Sequence, residues 1–284
     1  MNPLSEWPLP ARQHIIGVFT DIDDTLTTHG QITPDALRAL TDLKAAGLTV
    51  IAITGRHVGW CDAWLTPDGL ALPLDAIVAE NGALAWIRSD ALELTGQNAA
   101  APCNHEGRKL SKIYQNDAAQ RQRNQQRLHA VASQLLADIP GLTRSKDIGG
   151  RETDLAFDYA EHAQLDAATV QRVVAKLQAA GLHTSVSSIH IHGCCDDVNK
   201  WQGACWIVQR LYGRDLCEQL DQWVFVGDSG NDQPMFEHFA HSVGVANIQR
   251  CAASLSHLPR YVTPGERGAG FAEVAHAILE ARRA

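Results

Sequence analysis

Phe19-Thr20-Asp21-Ile22-Asp23-Asp24-Thr25-Leu26 places three carboxylates within four residues, directly after the apolar run 15–19. The run predicts a buried strand, and the ligands of an open α/β sheet collect just beyond the carboxyl ends of its strands. Negative charge packed against a buried strand needs a cation or a reaction to occupy it. An acidic turn capping the next helix accounts for the same residues, because Asp is common in turns. Segments further along decide between the two.

Thr33-Pro34-Asp35 opens a helix: Thr33 can cap, Pro34 suits the first turn, and Asp35 faces the positive end of the dipole. Leu37, Leu40 and Leu43 supply its expected apolar face, and Gly47 ends it. A second buried strand is expected at 48–53 and a short third at 76–79, so the chain starts as a parallel, doubly wound unit. After about Arg88 the character changes. Residues 96–127 are poor in apolar side chains and lead into an amphipathic helix around 127–136. A strand is expected at 153–159, with Leu155, Phe157 and Tyr159 on one face, then a helix at 166–180 and two short strands within 182–192. Beyond Lys200 the doubly wound pattern returns, with a helix at 201–212, strands at 223–226 and 243–246, and a closing helix at 271–282. The fold class is therefore α/β: a doubly wound parallel-sheet core, residues 1–88 and 193–284, interrupted by an inserted α/β domain at 89–192.

Composition narrows the function. With 284 residues, 45% hydrophobic and 20% charged, the chain is an ordinary globular protein. Its 24 Lys plus Arg against 32 Asp plus Glu, a formal charge of -8, argue against nucleic acid or an anionic membrane as partner. A small anionic substrate stays open, because a metal ion reverses the local field. No apolar run is long enough to span a bilayer, and residues 1–10 lack the basic-then-apolar pattern of a secretory signal. Seven cysteines without framework spacing, two of them adjacent at Cys194-Cys195, read as reduced thiols in a cytoplasmic protein. The oligomeric state leaves no mark in the sequence.

A second strand end carries acid, in Gly227-Asp228-Ser229-Gly230-Asn231-Asp232. In a parallel sheet both ends lie on one edge, so Asp21, Asp23, Asp24, Asp228 and Asp232 can converge. A hard divalent cation held by oxygens resolves their repulsion, and Mg²⁺ takes few protein carboxylates together with water and substrate phosphate. Thr54, in Ile53-Thr54-Gly55-Arg56, ends the second strand at the same edge, where a hydroxyl and backbone N–H groups can bind phosphate oxygens. Lys200 begins a helix in Asn199-Lys200-Trp201 and can supply a cation.

These four segments, in this order, resemble the haloacid dehalogenase superfamily of phosphotransferases. The insertion between the second and third is similar to the large α/β cap of its subclass IIB, the Cof-like type. The 227–232 turn and the cap type are also similar to those of sucrose-phosphate and mannosyl-3-phosphoglycerate phosphatases. The resemblance implies a Mg²⁺-dependent hydrolase of a small phosphorylated metabolite, a sugar phosphate, working through an aspartyl-phosphate. Asp21 would be the nucleophile and Asp23 the acid and base. Asp21, the backbone carbonyl of Asp23 and Asp228 would hold the metal, with Asp232 in support. Thr54, Gly55, Lys200 and Asn231 would bind phosphate or substrate. Asp23 points within the superfamily to phosphatases and phosphomutases. Asp24 departs from the commoner Gly and has no chemical role.

Other features have two readings. Arg56 is either a substrate contact or an exposed loop charge. Glu80-Asn81-Gly82 is a turn beside the active site or merely the end of a strand. Lys146, Arg151 and Glu152, around Gly149-Gly150, are candidate specificity residues or solvated turn charges. His190, His192 and Cys194 share a strand face, as a zinc site or as strand residues near a hinge. Trp60 and Trp64 suit helix packing or sugar stacking. A phosphomutase using the same aspartyl-phosphate, and a non-catalytic metabolite-binding protein, are the alternative functions. The crossings near 88 and 192 are expected to act as hinges for cap closure.

Overall fold

The computed structural model describes residues 1–66, 69–88, 110–146 and 150–283. Gly17–Thr20 is buried at every residue and pairs in parallel with Thr49–Ile53 on one side and Trp223–Gly227 on the other. In register, Val18 faces Val50 and Val224, and Phe19 faces Ile51 and Phe225. Val18, Val50 and Val224 join one apolar cluster with Leu40, Leu43, Phe271 and Ile278, whereas Phe19, Ile51 and Phe225 join a second with Ile207, Val208 and Met235. Both faces of the sheet are thus covered by helices, which is why its strands are continuously apolar and do not alternate.

Among the described residues the sheet has nine strands, in the order Asn2–Pro3, Tyr261–Val262, His241–Gly244, Trp223–Gly227, Gly17–Thr20, Thr49–Ile53, Ala76–Ala79, Leu84–Arg88, Leu110–Tyr114. Leu84–Arg88 pairs antiparallel with both of its neighbours, and all the other pairings are parallel. Pro34–Ala45 and Arg267–Ala281 cover one face, and Lys200–Tyr212 the other. The buried side of Pro34–Ala45 is Ala36, Ala39, Leu40 and Leu43, while Leu37, expected there, is exposed. The 36/39/40/43 spacing follows the helical stripe, and position 37 falls outside it.

A second, antiparallel sheet of four strands runs Thr143–Arg144, Asp154–Asp158, His190–Cys194, His183–Val186. Its outer face packs Leu155, Phe157 and Ile191 against Leu128 and Leu135 of Ala118–Asp138 and Val173 and Leu177 of Ala167–Ala179. Its inner face carries Asp154, Asp158, His190 and His192, all buried. Two expectations differ from this arrangement. Leu110–Tyr114 lies at the edge of the large sheet, with Leu110 and Ile113 buried, so the first crossing follows Tyr114 and not residue 88. The end of the polar stretch, residues 118–127, is already helix: Ala118–Asp138 buries only Asn124, Leu128, Ala132 and Leu135 and gives its remaining surface to water. Residues 96–109 of that stretch, and Gly149, lie outside the described residues. No helix among the described residues is long and apolar enough to cross a membrane.

Candidate active site

Parallel neighbours end together, and this brings Asp21, Thr54 and Asp228 to one edge. The Asp21 N–H donates to Val226 O at 2.9 Å and the Thr54 N–H to Val78 O at 2.9 Å, extending the ladders by one residue each. Lys200 opens its helix after the Asn199 cap, whose side chain accepts from Gln202 N, and is fully buried. Its Nζ lies 2.6 Å from Asp21 Oδ1 and 2.7 Å from Asp232 Oδ1. One carboxylate oxygen each of Asp21, Asp228 and Asp232 falls within a 4.8 Å cluster. Three carboxylates less one ammonium leave an excess of two negative charges in a buried site.

Burial, with Asp232 and Asp23 adding to it, pushes Asp21 up to about 7 against the pull of Lys200. Burial and then Asp21, Asp232 and Asp24 hold Asp228 well above the usual range. Lys200 pays burial but is raised by Asp21 and Asp232, so it stays an ammonium. A divalent cation fits this donor set, because it is the charge that the site lacks. The three carboxylates are not equivalent. Asp232 is the most engaged of the three, Oδ1 by Lys200 and Oδ2 by the N–H groups of Asp228 (2.8 Å) and Ser229 (3.0 Å). Asp228 accepts once at each oxygen, from Thr25 Oγ1 at 3.2 Å and Asn247 Nδ2 at 2.8 Å. Asp21 and Asp228 therefore keep the most lone pairs for a cation, and Asp232, with one left on Oδ1, also orients Lys200 and the 227–232 turn.

Asp23 turns away from this cluster. Arg56 Nε and Nη2 grip both its oxygens at 2.8 and 3.1 Å, and Nη2 also meets Glu161 Oε1 of the inner-sheet side at 2.9 Å. The guanidinium lies 4.9 Å from the centroid of Trp60. Arg56 is thus not an exposed loop charge; two carboxylates hold it as a bridge between the sheets. Trp60 and Trp64 meet edge to face, 4.6 Å apart. Thr54 Oγ1 accepts from Arg56 N at 3.0 Å, and its hydroxyl hydrogen remains to give. The Gly55 N–H has no partner among the described residues. Asn231 is a brace: its amide donates to Asn81 Oδ1 at 2.9 Å and its oxygen accepts from Ser229 Oγ at 2.9 Å.

Glu80-Asn81-Gly82 does lie beside the site. Glu80 and Asn81 both have positive φ, 49° and 55°, which turns the buried Glu80 carboxylate toward the four-stranded sheet. There it accepts from the N–H groups of Glu152 (3.0 Å) and Thr153 (2.6 Å) and from the Thr153 hydroxyl. Arg151 donates to Gly55 O at 3.1 Å, and Glu152 pairs with Lys112 at 2.6 Å, so neither is a solvated turn charge; Lys146 is exposed. His190 meets Glu161 at 3.0 Å and His192 meets Asp154 at 3.0 Å. At Gly230 an added Cβ would come within 2.6 Å of Val186 O, a second close docking point between the sheets. Asp24 has φ 54°, which explains the preference for Gly there, and it pairs with Arg267 at 2.8 Å.

A cavity of about 1280 Å³ lies between the sheets, lined by Asn81, Lys200, Asp228, Tyr159, Val186 and His192 among others. Sequence reasoning missed Thr25, Asn247 and Glu161. Asn247 follows the strand His241–Gly244, so the rule that found Asp21 and Asp228 could have found it too.

Comparison with known proteins agrees with this geometry. A family model for haloacid dehalogenase-like hydrolases matches residues 18–100, and one for sucrose-6F-phosphate phosphohydrolase matches residues 108–278, more than half of the chain. No curated protein sequence matches significantly. Among solved structures, the sucrose-phosphatase of Synechocystis sp. PCC6803, in complex with sucrose and phosphate, has a TM-score of 0.59 at 16% identity, covering 92% of this chain and 97% of its own. The C-terminal domain of C. albicans trehalose-6-phosphate phosphatase scores 0.62 at 12% identity, covering 100% and 99%. A Thermoplasma acidophilum protein scores 0.63 at 16% identity, covering 93% and 98%. At these identities the likeness speaks for the fold.

Proposed function

This chain belongs to the haloacid dehalogenase-like phosphatases, in the sucrose-6F-phosphate phosphohydrolase family, and from that premise we propose that it hydrolyses a sugar phosphate through an aspartyl-phosphate on Asp21. The observation that carries the reading is the buried contact of 2.6 Å between Lys200 and Asp21, at the strand edge shared with Asp228 and Thr54. A carboxylate can approach a phosphate dianion only where positive charge offsets their repulsion. Lys200 supplies one such charge and holds Asp21 in place.

In this reading an Asp21 oxygen forms a bond to phosphorus as the ester P–O bond breaks. The Thr54 hydroxyl and the Gly55 N–H donate to the equatorial oxygens. Arg56 holds both Asp23 oxygens here, so one must come free and take a proton from solvent; Asp23 then gives that proton to the departing alkoxide and takes one from the water that attacks the acyl phosphate and releases inorganic phosphate. Arg56 sets the orientation of Asp23 between the two sheets. The excess negative charge fits Mg²⁺, which Asp21, Asp228 and the Asp23 backbone carbonyl would hold and which would neutralise the phosphoryl oxygens. The inserted sheet acts as a cap, and the 1280 Å³ cavity beneath it supports a substrate of sugar-phosphate size.

Asp21→Asn is expected to abolish Mg²⁺-dependent phosphate release from p-nitrophenyl phosphate while leaving the protein folded by circular dichroism. Unchanged turnover in that variant, or full turnover of the wild type in excess EDTA, would sink the mechanism.

A further inference from the structure

On the inner face of the four-stranded sheet, Arg151, Asp154 and His192 form a fixed chain. Arg151 Nη1 lies 2.8 Å from Asp154 Oδ1, and Asp154 Oδ2 lies 3.0 Å from His192 Nδ1. The side chains are only 3%, 3% and 4% exposed. Despite burial, Arg151 and His192 hold Asp154 below the usual carboxylate range, so it is ionised and has no proton to give. The hydrogen therefore sits on Nδ1. Burial pushes the imidazole itself down to about 4, so the ring is neutral and Nε2 presents a lone pair.

That lone pair has no hydrogen-bond partner among the described residues. It is aimed at the phosphate loop: a Cβ added at Gly55 would lie 3.0 Å from Nε2 and 3.2 Å from Asn81 Oδ1. His192 also lines the cavity that holds Lys200 and Asp228. An acceptor placed there repels a phosphate oxygen and complements a hydroxyl. Lys200 is fully buried as well, so the two sheets must part to admit any substrate. When they close again, a hydroxyl carried on the substrate can satisfy the nitrogen.

We propose that His192 is a specificity-determining residue, whose Nε2 accepts a hydrogen bond from a hydroxyl of the leaving alcohol and so selects polyhydroxylated phosphate monoesters. Asp154 and Arg151 are its positioning residues, fixing the tautomer and docking the ring over Gly55. The proposal rests on the phosphatase reading of the site.

The test compares kcat/KM for hexose 6-phosphates with that for p-nitrophenyl phosphate, whose leaving group has no further hydroxyl, using the full chain with Mg²⁺. In His192→Ala the hexose-to-aryl ratio is expected to fall about 10- to 100-fold, as for a site that loses its partner to a substrate hydroxyl. His192→Gln, whose amide oxygen reaches the Nε2 position, should restore most of the ratio. Should the Ala variant fail to fold, single deoxy analogues of the best hexose phosphate pose the same question to the wild type. One deoxy position should then lose about 10-fold or more, and His192→Gln should keep that discrimination. A ratio that stays within about threefold in His192→Ala, or uniform turnover of every deoxy analogue, overturns the role of His192 and leaves the phosphatase reading intact. Turnover that survives Asp21→Asn overturns both.

Discussion

Replacing Glu80 by Gln tests how the core grips the inserted sheet. Glu80 is 1% exposed, and burial first, then Asp154, pushes its carboxyl up from 4.5 to about 7. The folded state therefore binds the proton more tightly than the unfolded one. Stability from this group is fully present below pH 4.5 and is lost as pH rises through about 7. A shift of that size corresponds to about 3 kcal/mol. Gln carries no charge and escapes this loss, but its NH₂ must face one of the N–H donors of Glu152 or Thr153, costing about 1 kcal/mol at every pH. The variant should accordingly be less stable than wild type by about 1 kcal/mol at pH 4.5 and more stable by about 2 kcal/mol at pH 8. Urea unfolding at half-unit pH steps reads both curves. They should cross; parallel curves over that range would refute the reasoning.

Two further substitutions separate charge from conformation. Lys200→Met leaves Asp21 and Asp232 buried without their ammonium, and should cost about 3 kcal/mol or more in urea unfolding. The same variant should lower phosphate release by about 10²- to 10³-fold; wild-type stability would contradict the charge balance drawn above. Asp24→Ala places an alanine at φ 54° and removes the Arg267 pair, an expected loss of about 1–2 kcal/mol. Asp24→Gly should cost less than about 1 kcal/mol, since glycine adopts that conformation freely. Equal losses in the two would show that the pair, and not the backbone, matters there.

Much of the core was legible because its signals are local. Continuous apolar runs such as 48–53 predict strands buried on both faces, and a parallel sheet brings their acidic ends to one edge. That logic placed Asp21, Thr54, Lys200, Asp228 and Asp232 together. It could not foresee how they divide the work. Whether the Asp232 oxygens are free or taken depends on the N–H groups of the turn that holds them. Arg56 was ambiguous because its two partners, Asp23 and Glu161, come from opposite sides of the site and are 138 positions apart, 161 less 23. His192 shows its free nitrogen only once Asp154 on the adjacent strand has claimed the other. The strand Leu110–Tyr114 was missed because its pairing to Leu84–Arg88 is set by register across a long connection. The helix Ala118–Asp138 was undercounted because a helix wet on most sides carries a thin apolar stripe.

The strand order also bears on how the chain is made. Gly17–Thr20 has Trp223–Gly227 as one of its two neighbours, and that neighbour leaves the ribosome about 200 residues later. At ordinary synthesis rates the wait is about 10–40 s. Throughout it, a fully apolar strand has one unpaired edge, the kind of template on which other chains assemble. The inserted sheet, whose four strands lie within residues 143–194, can fold during that interval. The nascent core cannot, and needs either rapid completion or a chaperone until Trp223–Gly227 arrives. A chain of residues 1–200, released from the ribosome in cell-free translation, should therefore yield a protease-resistant inserted sheet beside a core that digests freely.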